Sequence, residues 1–144
     1  MKKIMVSCFL VFVAVILQAQ DEQENVKNAV MDYVDAFYYG DTTKIIRSIS
    51  TDVVKYGYYR KKDETTYSGE PMSYRQMLDY ATAVKKRNNP AAAEKFVKKI
   101  EVLDYQDQTA SAKLTAWWGT DYLLLSKING SWMITHVLWQ SPVK

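Results

Sequence analysis

A two-residue turn at Asn129-Gly130, with residues of alternating polarity on both sides, constrains the fold of this chain more than any other feature. Asn-Gly is a preferred sequence for a tight hairpin turn that has positive φ at both positions. The turn therefore predicts two antiparallel strands, and regular pairing outward from it places Leu123 opposite His136. Because side chains alternate between the two faces of a strand, this register decides which residues point inward.

The inward face of the predicted hairpin is mostly apolar. Taking Gly119-Thr120 as the preceding turn extends that face to a third strand, where apolar residues again alternate with polar ones. The face is expected to lie under helices, so that His136, the only histidine of the chain, points into the interior. The residues predicted on this face are Ala112, Leu114, Ala116, Trp118, Asp121, Leu123, Leu125, Trp132, Ile134, His136 and Leu138.

The chain before this hairpin predicts three helices. Apolar residues recur at three- and four-residue steps over 24–39, and a short helix with inward Ile45, Ile46 and Ile49 follows the capping residue Asp41. A third helix follows Pro71, with a capping box at its start, and ends at 88–90. Strands are predicted at 53–59, with 65–68 as a weak partner, and at 96–105, 109–118, 121–128 and 131–139. This order predicts an α+β domain with the helices on one face of an antiparallel sheet.

Residues 1–20 have the layout of a secretory signal peptide. Two lysines precede an apolar run from Ile4 to Leu17, which is short for a transmembrane span, and small and polar residues follow it. Cleavage is expected near Ala19 or Gln20. The sequence therefore predicts an exported protein, periplasmic or extracellular, in which residues 21–144 form a single domain that has no contact with the membrane after cleavage.

Charge and cysteine content argue against several classes of function. The chain has 19 Lys and Arg against 16 Asp and Glu, and two of the lysines lie in the predicted signal peptide. The remaining domain is nearly neutral, which argues against nucleic acid as a partner. The only cysteine of the whole chain, Cys8, also lies in the predicted signal peptide. A domain with one histidine and no cysteine is a poor candidate for a zinc site, and we expect neither a metal nor another cofactor.

Three stretches of the chain resemble the NTF2-like superfamily: AFYYGDTTKI at 36–45, MSYRQMLDYA at 72–81 and WWGTDYLLLSKINGSWMITHVLW at 117–139. Within it, the chain is most similar to a group of exported bacterial domains catalogued as "putative lumazine-binding" or SnoaL-like. The resemblance implies a cone in which a curved sheet wraps over three helices and encloses a pocket. It also implies dimers formed through the outer face of the sheet. Ketosteroid isomerases, dehydratases and polyketide cyclases belong to this superfamily, as do many members without a known activity.

His136 and Asp121 are the candidate catalytic residues. In the predicted register they are diagonal neighbours on one face, about 7–8 Å apart along the backbone. A carboxylate can fix the tautomer of a histidine that acts as a general base. A hydrogen-bonded histidine that only lines an apolar core explains the same pattern. The residues predicted to line the pocket are Tyr33, Tyr56, Tyr58, Trp118, Leu123, Trp132 and Leu138.

Three functions remain open at this point. The first is a noncatalytic pocket that binds a small apolar or aromatic molecule. The second is an enzyme of the lyase or isomerase type that uses His136 and Asp121. The third is a homodimeric interaction module whose cone is filled by side chains. The face predicted to form the homodimer carries Trp117, Tyr122, Leu124, Met133, Val137 and Trp139, an apolar patch large enough to need covering.

Overall fold

The structure, a computed structural model, describes residues 2–62, 64–87 and 93–142, with side chains from residue 21 onward. Three helices pack on one face of a curved six-stranded sheet, and the core lies between the two layers. The predicted α+β architecture is confirmed. Among the residues described, no helix combines the length and the apolarity that crossing a membrane requires.

Helix α1 (Lys2–Tyr39) includes the predicted signal segment and then provides most of the helical side of the core. Gly40 ends this helix with φ at 73°. A Cβ at Gly40 would lie 2.3 Å from the backbone nitrogen of Lys85, so the glycine also permits close packing against the third helix. The buried residues of α1 recur at the predicted helical spacing and are Val26, Ala29, Val30, Tyr33, Val34, Ala36, Phe37 and Tyr38.

Helix α2 (Thr42–Ser48) begins at the predicted cap. The Asp41 carboxylate accepts a hydrogen bond from the backbone N–H of Thr43 at 3.0 Å. Ile45 is buried as predicted, but Ile46 is 59% exposed, so the prediction that both point inward is wrong. Consecutive residues of a helix are about 100° apart, and α2 turns Ile45 toward the core and Ile46 toward solvent.

Helix α3 (Tyr74–Arg87) begins with the predicted capping box. The backbone N–H of Ser73 donates to Gln76 Oε1 at 2.7 Å, and the backbone N–H of Gln76 donates to Ser73 Oγ at 3.3 Å. Met77 and Ala81 on its inner side are fully buried. The predicted end of this helix at 88–90 lies outside the described residues.

The sheet is mixed rather than wholly antiparallel. Its strand order is β2-β1-β6-β5-β4-β3, in which β1 runs parallel to β6 and all other neighbours are antiparallel. The prediction of an antiparallel sheet is wrong at this one pair, because alternation defines the faces of a strand but not its partner. The strands are β1 (Ile49–Tyr59), β2 (Ser68–Pro71), β3 (Lys98–Tyr105), β4 (Thr109–Ala116), β5 (Gly119–Ile128) and β6 (Ser131–Gln140).

The β5–β6 hairpin has the predicted turn, followed by a bulge. Asn129 and Gly130 have φ values of 50° and 80°, as the turn requires. Pairing is regular as far as Leu125 opposite Ile134, but the next pair is Leu124 opposite His136. Thr135 is therefore an extra residue, which inverts the inward and outward positions along the rest of β6.

The bulge overturns the predicted register of the last four residues before Gln140. Leu123 pairs with Val137 instead of His136, and Asp121 pairs with Trp139 instead of Leu138. Val137 is 2% exposed and points inward, whereas Leu138 is 50% exposed on the outer face. The alternation of polar and apolar residues does not predict this bulge. Each setting of β6 places apolar side chains on the inner face, Leu138 without the bulge and Val137 and Trp139 with it.

The turn between β4 and β5 lies two residues earlier than predicted. Ala116 pairs with Gly119, so Trp117 and Trp118 form the turn instead of Gly119-Thr120. The shift is an even number of residues and leaves the inner face of β4 as predicted. The Tyr38 hydroxyl on α1 accepts a hydrogen bond from the Trp117 backbone N–H at 3.1 Å and holds this turn over the end of the helix layer.

Candidate functional site

The inner face of the sheet carries two buried charged side chains near the Trp117-Trp118 turn. Lys55 on β1 lies opposite Val137, and Asp121 on β5 lies opposite Trp139. Strand β6 separates the two strands and contributes an inward-pointing valine between them. Lys55 is 8% exposed and Asp121 is fully buried. Buried charges of opposite sign are costly unless each is paired, so their hydrogen bonds decide what this site can do.

Tyr33 of α1 connects the two charges. Lys55 Nζ donates a hydrogen bond to Tyr33 Oη at 2.7 Å, and Tyr33 Oη donates to Asp121 Oδ1 at 3.3 Å. The Trp118 indole N–H donates to Asp121 Oδ2 at 2.6 Å. Both oxygens of the carboxylate accept hydrogen bonds, which is the arrangement expected of an ionised carboxylate. The four side chains form one polar chain inside an otherwise apolar core, here called the Lys55–Asp121 network.

Burial shifts the pKa of each of the three titratable members of this network, Lys55, Asp121 and Tyr33. Desolvation lowers the pKa of Lys55 to about 8, although the Asp121 charge opposes the shift. Desolvation raises the pKa of Asp121, and this rise is opposed by Lys55 and by the hydrogen bonds from Trp118 and Tyr33. Burial, followed by the Asp121 charge, raises the pKa of Tyr33 well above its ordinary value. The Tyr33 phenol is therefore neutral at neutral pH and can donate its proton to Asp121.

A cavity of about 230 Å³ lies directly over the lysine of this network. Its floor is formed by Lys55 and Phe37, which are both buried, and its rim includes Trp117, which is half exposed. The Lys55 amine lies 4.9 Å from the centre of the Phe37 ring. Apart from the amine, the wall is made of aromatic and thioether side chains. The lining residues are Phe37, Lys55, Met72, Tyr80, Trp117, Trp118 and Trp139.

A glycine in β1 makes room for one wall of the cavity. Gly57 lies opposite Trp139 in the parallel pair, and a Cβ at Gly57 would lie 1.6 Å from the Trp139 indole nitrogen. The indole therefore lies flat across the glycine backbone. No other residue at position 57 would permit this close approach. Since Thr135 is the bulged residue that turns Trp139 inward, the bulge and the glycine together build this wall.

The predicted pocket residues are spread over three parts of the molecule. Trp118 lines the cavity, and Tyr33 lies behind it in the Lys55–Asp121 network. Leu123 is buried in the core, and Trp132 lies at the other end of α1, where its indole N–H donates to Glu22 at 2.7 Å. The prediction that Tyr56, Tyr58 and Leu138 line the pocket is wrong, because all three are exposed on the outer face of the sheet.

The predicted pairing of His136 with Asp121 is wrong. His136 is exposed on the outer face, beyond the bulge, and its Nδ1 lies 3.1 Å from Thr135 Oγ1. Asp121 is buried on the inner face and bonds to Tyr33 and Trp118. The sheet separates the two side chains, so they cannot exchange a proton or hold one ligand between them.

The outer face of the sheet carries an apolar surface that differs in part from the one predicted. Tyr122 and Leu124 lie on it and are more than half exposed. The prediction is wrong for Val137, which is buried, and for Trp139, which lines the inner cavity. Trp117 lies at the rim of that cavity. Met133 is partly exposed. The surface is here called the outer patch, and its exposed apolar residues are Val54, Tyr56, Leu103, Tyr122, Leu124 and Leu138.

Lys55 is the residue that the sequence interpretation missed. The stretch KYGYYRKK at 55–62 looks like the solvated edge of a hairpin, and its lysines look alike. Position along β1 distinguishes them. Lys55 lies within the strand, an even number of residues after the buried Ile49, whereas Lys61 and Lys62 follow the end of the strand at Tyr59 and are exposed.

Within the described residues, no group of three or more His, Cys, Asp or Glu side chains is arranged to hold a metal ion.

Comparison with known proteins agrees with the fold and the resemblance. A structure of an NTF2-like protein of unknown function from Silicibacter pomeroyi superposes with a TM-score of 0.69 at 16% identity, covering 86% of this chain and 98% of that one. A second, from Methylobacillus flagellatus, gives 0.62 at 20% identity, covering 85% and 94%. No match is found among curated proteins. The sequence model of the family described as "Putative lumazine-binding" matches residues 21–140. The chain thus belongs to this family and has the NTF2-like fold.

Proposed function

We propose that the cavity over Lys55 binds a small, flat, uncharged molecule reversibly, and that the domain releases this ligand unchanged. The observation that carries the proposal is an aromatic cavity with one polar group at its floor. Binding sites for small molecules are typically concave and apolar, with few polar groups that fix the orientation of the ligand. The family description, which refers to ligand binding, supports the same class of function.

The size of the cavity supports a ligand of one or two rings. A dry cavity of about 150 Å³ is enough to admit benzene. The 230 Å³ over Lys55 therefore holds one ring with substituents or a compact two-ring compound. Tyr33, Trp118 and Trp132 do not fill this space, which argues against a domain whose cone is packed shut.

The charge of the network supports an uncharged ligand that carries a hydrogen-bond acceptor. The Lys55 ammonium is already balanced by Asp121, so an anionic ligand would place two negative charges in one buried site. Among the described residues, Tyr33 Oη is the one acceptor bonded to Lys55 Nζ. An ammonium has three donors, and the remaining two are available to a carbonyl or hydroxyl oxygen of the ligand.

Titration with benzyl alcohol and toluene tests this proposal, since both have one ring and only the first has an acceptor. Tryptophan fluorescence should report both, because three indoles line the cavity. Benzyl alcohol should bind about tenfold more tightly, the ratio expected of a hydrogen bond to a charged donor. Lys55→Met should remove this preference, and the control variant His136→Ala should retain it. Equal affinities for the two compounds in the wild type would contradict the role of Lys55, and no binding of either would contradict the pocket.

We further propose that the domain is a homodimer formed through the outer patch. Soluble monomers rarely expose apolar surface of this extent, and Tyr122, Leu124 and Leu138 lie on the adjacent strands β5 and β6. The double variant Tyr122→Lys, Leu138→Lys should be a folded monomer by light scattering, because it places like charges at the centre of the interface. Thr82→Lys, on the exposed side of α3, should leave the dimer intact. A monomeric wild type at micromolar concentration would reject this proposal.

We also propose that the protein is exported and that its signal peptide ends just before Asp21. Glu22 supports this boundary, because it belongs to the folded domain: its carboxylate accepts from Trp132 Nε1 at 2.7 Å and pairs with Lys127 Nζ at 2.6 Å. The family match also begins at residue 21. Amino-terminal sequencing of secreted material should begin at residue 20 or 21. An intact Met1 in the membrane fraction would contradict export with cleavage.

A further inference from the structure

Lys55 has features that simple binding does not require. Among the described residues it is the one buried lysine, and its amine reaches the floor of an aromatic cavity instead of the solvent. The amine also lies 5.1 Å from the centre of the Tyr33 ring and 4.9 Å from that of Phe37, so apolar surfaces border it on two sides. An amine in such surroundings is a nucleophile as well as a hydrogen-bond donor.

We propose that Lys55 condenses reversibly with a small aromatic aldehyde in the cavity and holds it as an imine. The inference rests on the proposed function, because it assigns the ligand of the same pocket to the class of carbonyl compounds. The amine nitrogen forms a bond to the carbonyl carbon, and the carbonyl oxygen leaves as water. An aldehyde and the lysine ammonium thus give a protonated imine and one water molecule, with the same total charge and without any oxidation or reduction.

The network supports each requirement of this reaction. The protonated imine keeps one positive charge at the Lys55 nitrogen, so the balance with Asp121 is unchanged. It also keeps one N–H, which can still donate to Tyr33 Oη. In the structure, Lys55 Nζ donates to this oxygen at 2.7 Å.

The protonation of the amine favours the same chemistry. With a pKa of about 8, roughly a tenth of Lys55 is the neutral, nucleophilic amine at pH 7. The titratable groups that face it are Tyr33 from α1, Asp121 from β5 and Tyr80 from α3. At the same pH an exposed lysine is neutral in only a few molecules per ten thousand, a fraction about 300-fold smaller than that of Lys55.

Reductive trapping with benzaldehyde tests the inference. The protein is incubated at pH 7 with benzaldehyde and cyanoborohydride, and the benzylated lysines are identified by mass spectrometry of a digest. Lys55 should be labelled at least about tenfold faster than the exposed Lys27 and Lys61, because reactivity follows the neutral fraction of the amine. Excess benzyl alcohol, which occupies the pocket but forms no imine, should slow labelling of Lys55 and leave the exposed lysines unchanged.

One further measurement, read together with the binding of benzyl alcohol, separates this inference from the proposed function. In the wild type, which requires no variant to fold, the excess of labelling at Lys55 over exposed lysines should be larger at pH 7 than at pH 9. The reason is that the neutral fraction of an ordinary lysine still rises steeply over this range, whereas that of Lys55 levels off above its pKa of about 8. If benzyl alcohol binds but Lys55 is labelled no faster than Lys27, the imine is rejected and the pocket stands. If benzyl alcohol does not bind, both are rejected.

Discussion

Replacing Asp121 by alanine is expected to destabilise the domain by about 3–5 kcal/mol, the cost of removing one partner from a buried pair of charges. The change leaves the Lys55 ammonium buried without a counter-charge. It also leaves the Trp118 indole N–H without its acceptor. Urea unfolding should therefore show a large fall in the midpoint. Asp104→Ala provides the matched control, because Asp104 is an exposed aspartate on β3, and its removal should change stability by less than about 0.5 kcal/mol.

A double variant shows whether the loss comes from the charge of Lys55. In a Lys55→Met background no buried ammonium remains, so Asp121→Ala should cost at least about 1 kcal/mol less than it does in the wild type. The cost should not vanish, because the Trp118 and Tyr33 donors still lose their acceptor. If the two costs are equal, Lys55 and Asp121 are energetically independent, and the network described above has no electrostatic role.

The second large effect is a rise in stability at alkaline pH. The folded state lowers the pKa of Lys55 to about 8 from its ordinary value of 10.5, so the unfolded chain binds more protons between these two values. The contribution of Lys55 to stability then increases with pH across that window. From pH 8 to pH 10 the wild type should gain about 2 kcal/mol relative to Lys55→Met.

The window closes near pH 10 because Tyr33 has the opposite shift. Its folded pKa is raised well above the ordinary value of 10.0, so the unfolded chain loses this proton first, and stability falls as the pH rises further. Urea midpoints of both proteins at pH 7, 8, 9 and 10 measure the difference. A wild type and a Lys55→Met variant with parallel pH profiles would show that Lys55 titrates normally and is not desolvated.

Much of the fold could be predicted because local chemistry determines it. The Asn129-Gly130 turn, the Asp41 cap and the Ser73–Gln76 capping box each satisfy backbone groups within a few residues, and all three have the predicted geometry. The inner face of β4 was also correct, because a strand keeps its alternation wherever its turn begins. These features do not depend on distant parts of the chain.

The candidate site could not be predicted because it depends on one extra residue in β6. The bulge at Thr135 exchanges His136 and Leu138 for Val137 and Trp139 on the inner face. Leu138, Val137 and Trp139 are all apolar, so each setting places apolar side chains inward, and packing across the sheet selects the bulged one. The sequence indicates His136 as the candidate, but His136 lies on the outer face. The candidate in the structure is Lys55, on the inner face.

Lys55 was missed for a related reason. Its parallel pairing with Val137 is a contact between residues far apart in sequence, and it turns one lysine of a basic stretch inward. Tyr33 was correctly placed on the inner stripe of α1, and Asp121 on the inner face of β5. Trp118 was also predicted to lie beside the pocket. Three of the four members of the network could therefore be predicted from the sequence, but Lys55 required the strand order.

The indole N–H signals of the four tryptophans test the central claim, that a small uncharged ring binds over Lys55. Trp117, Trp118 and Trp139 line the cavity, whereas Trp132 bonds to Glu22 at the other end of α1 and serves as an internal control. On titration of the ¹⁵N-labelled protein with benzyl alcohol, the three cavity signals should shift together along one saturating curve while the Trp132 signal stays in place. If all four signals move in proportion, or if only Trp132 moves, the ligand does not bind in this cavity and the account is wrong.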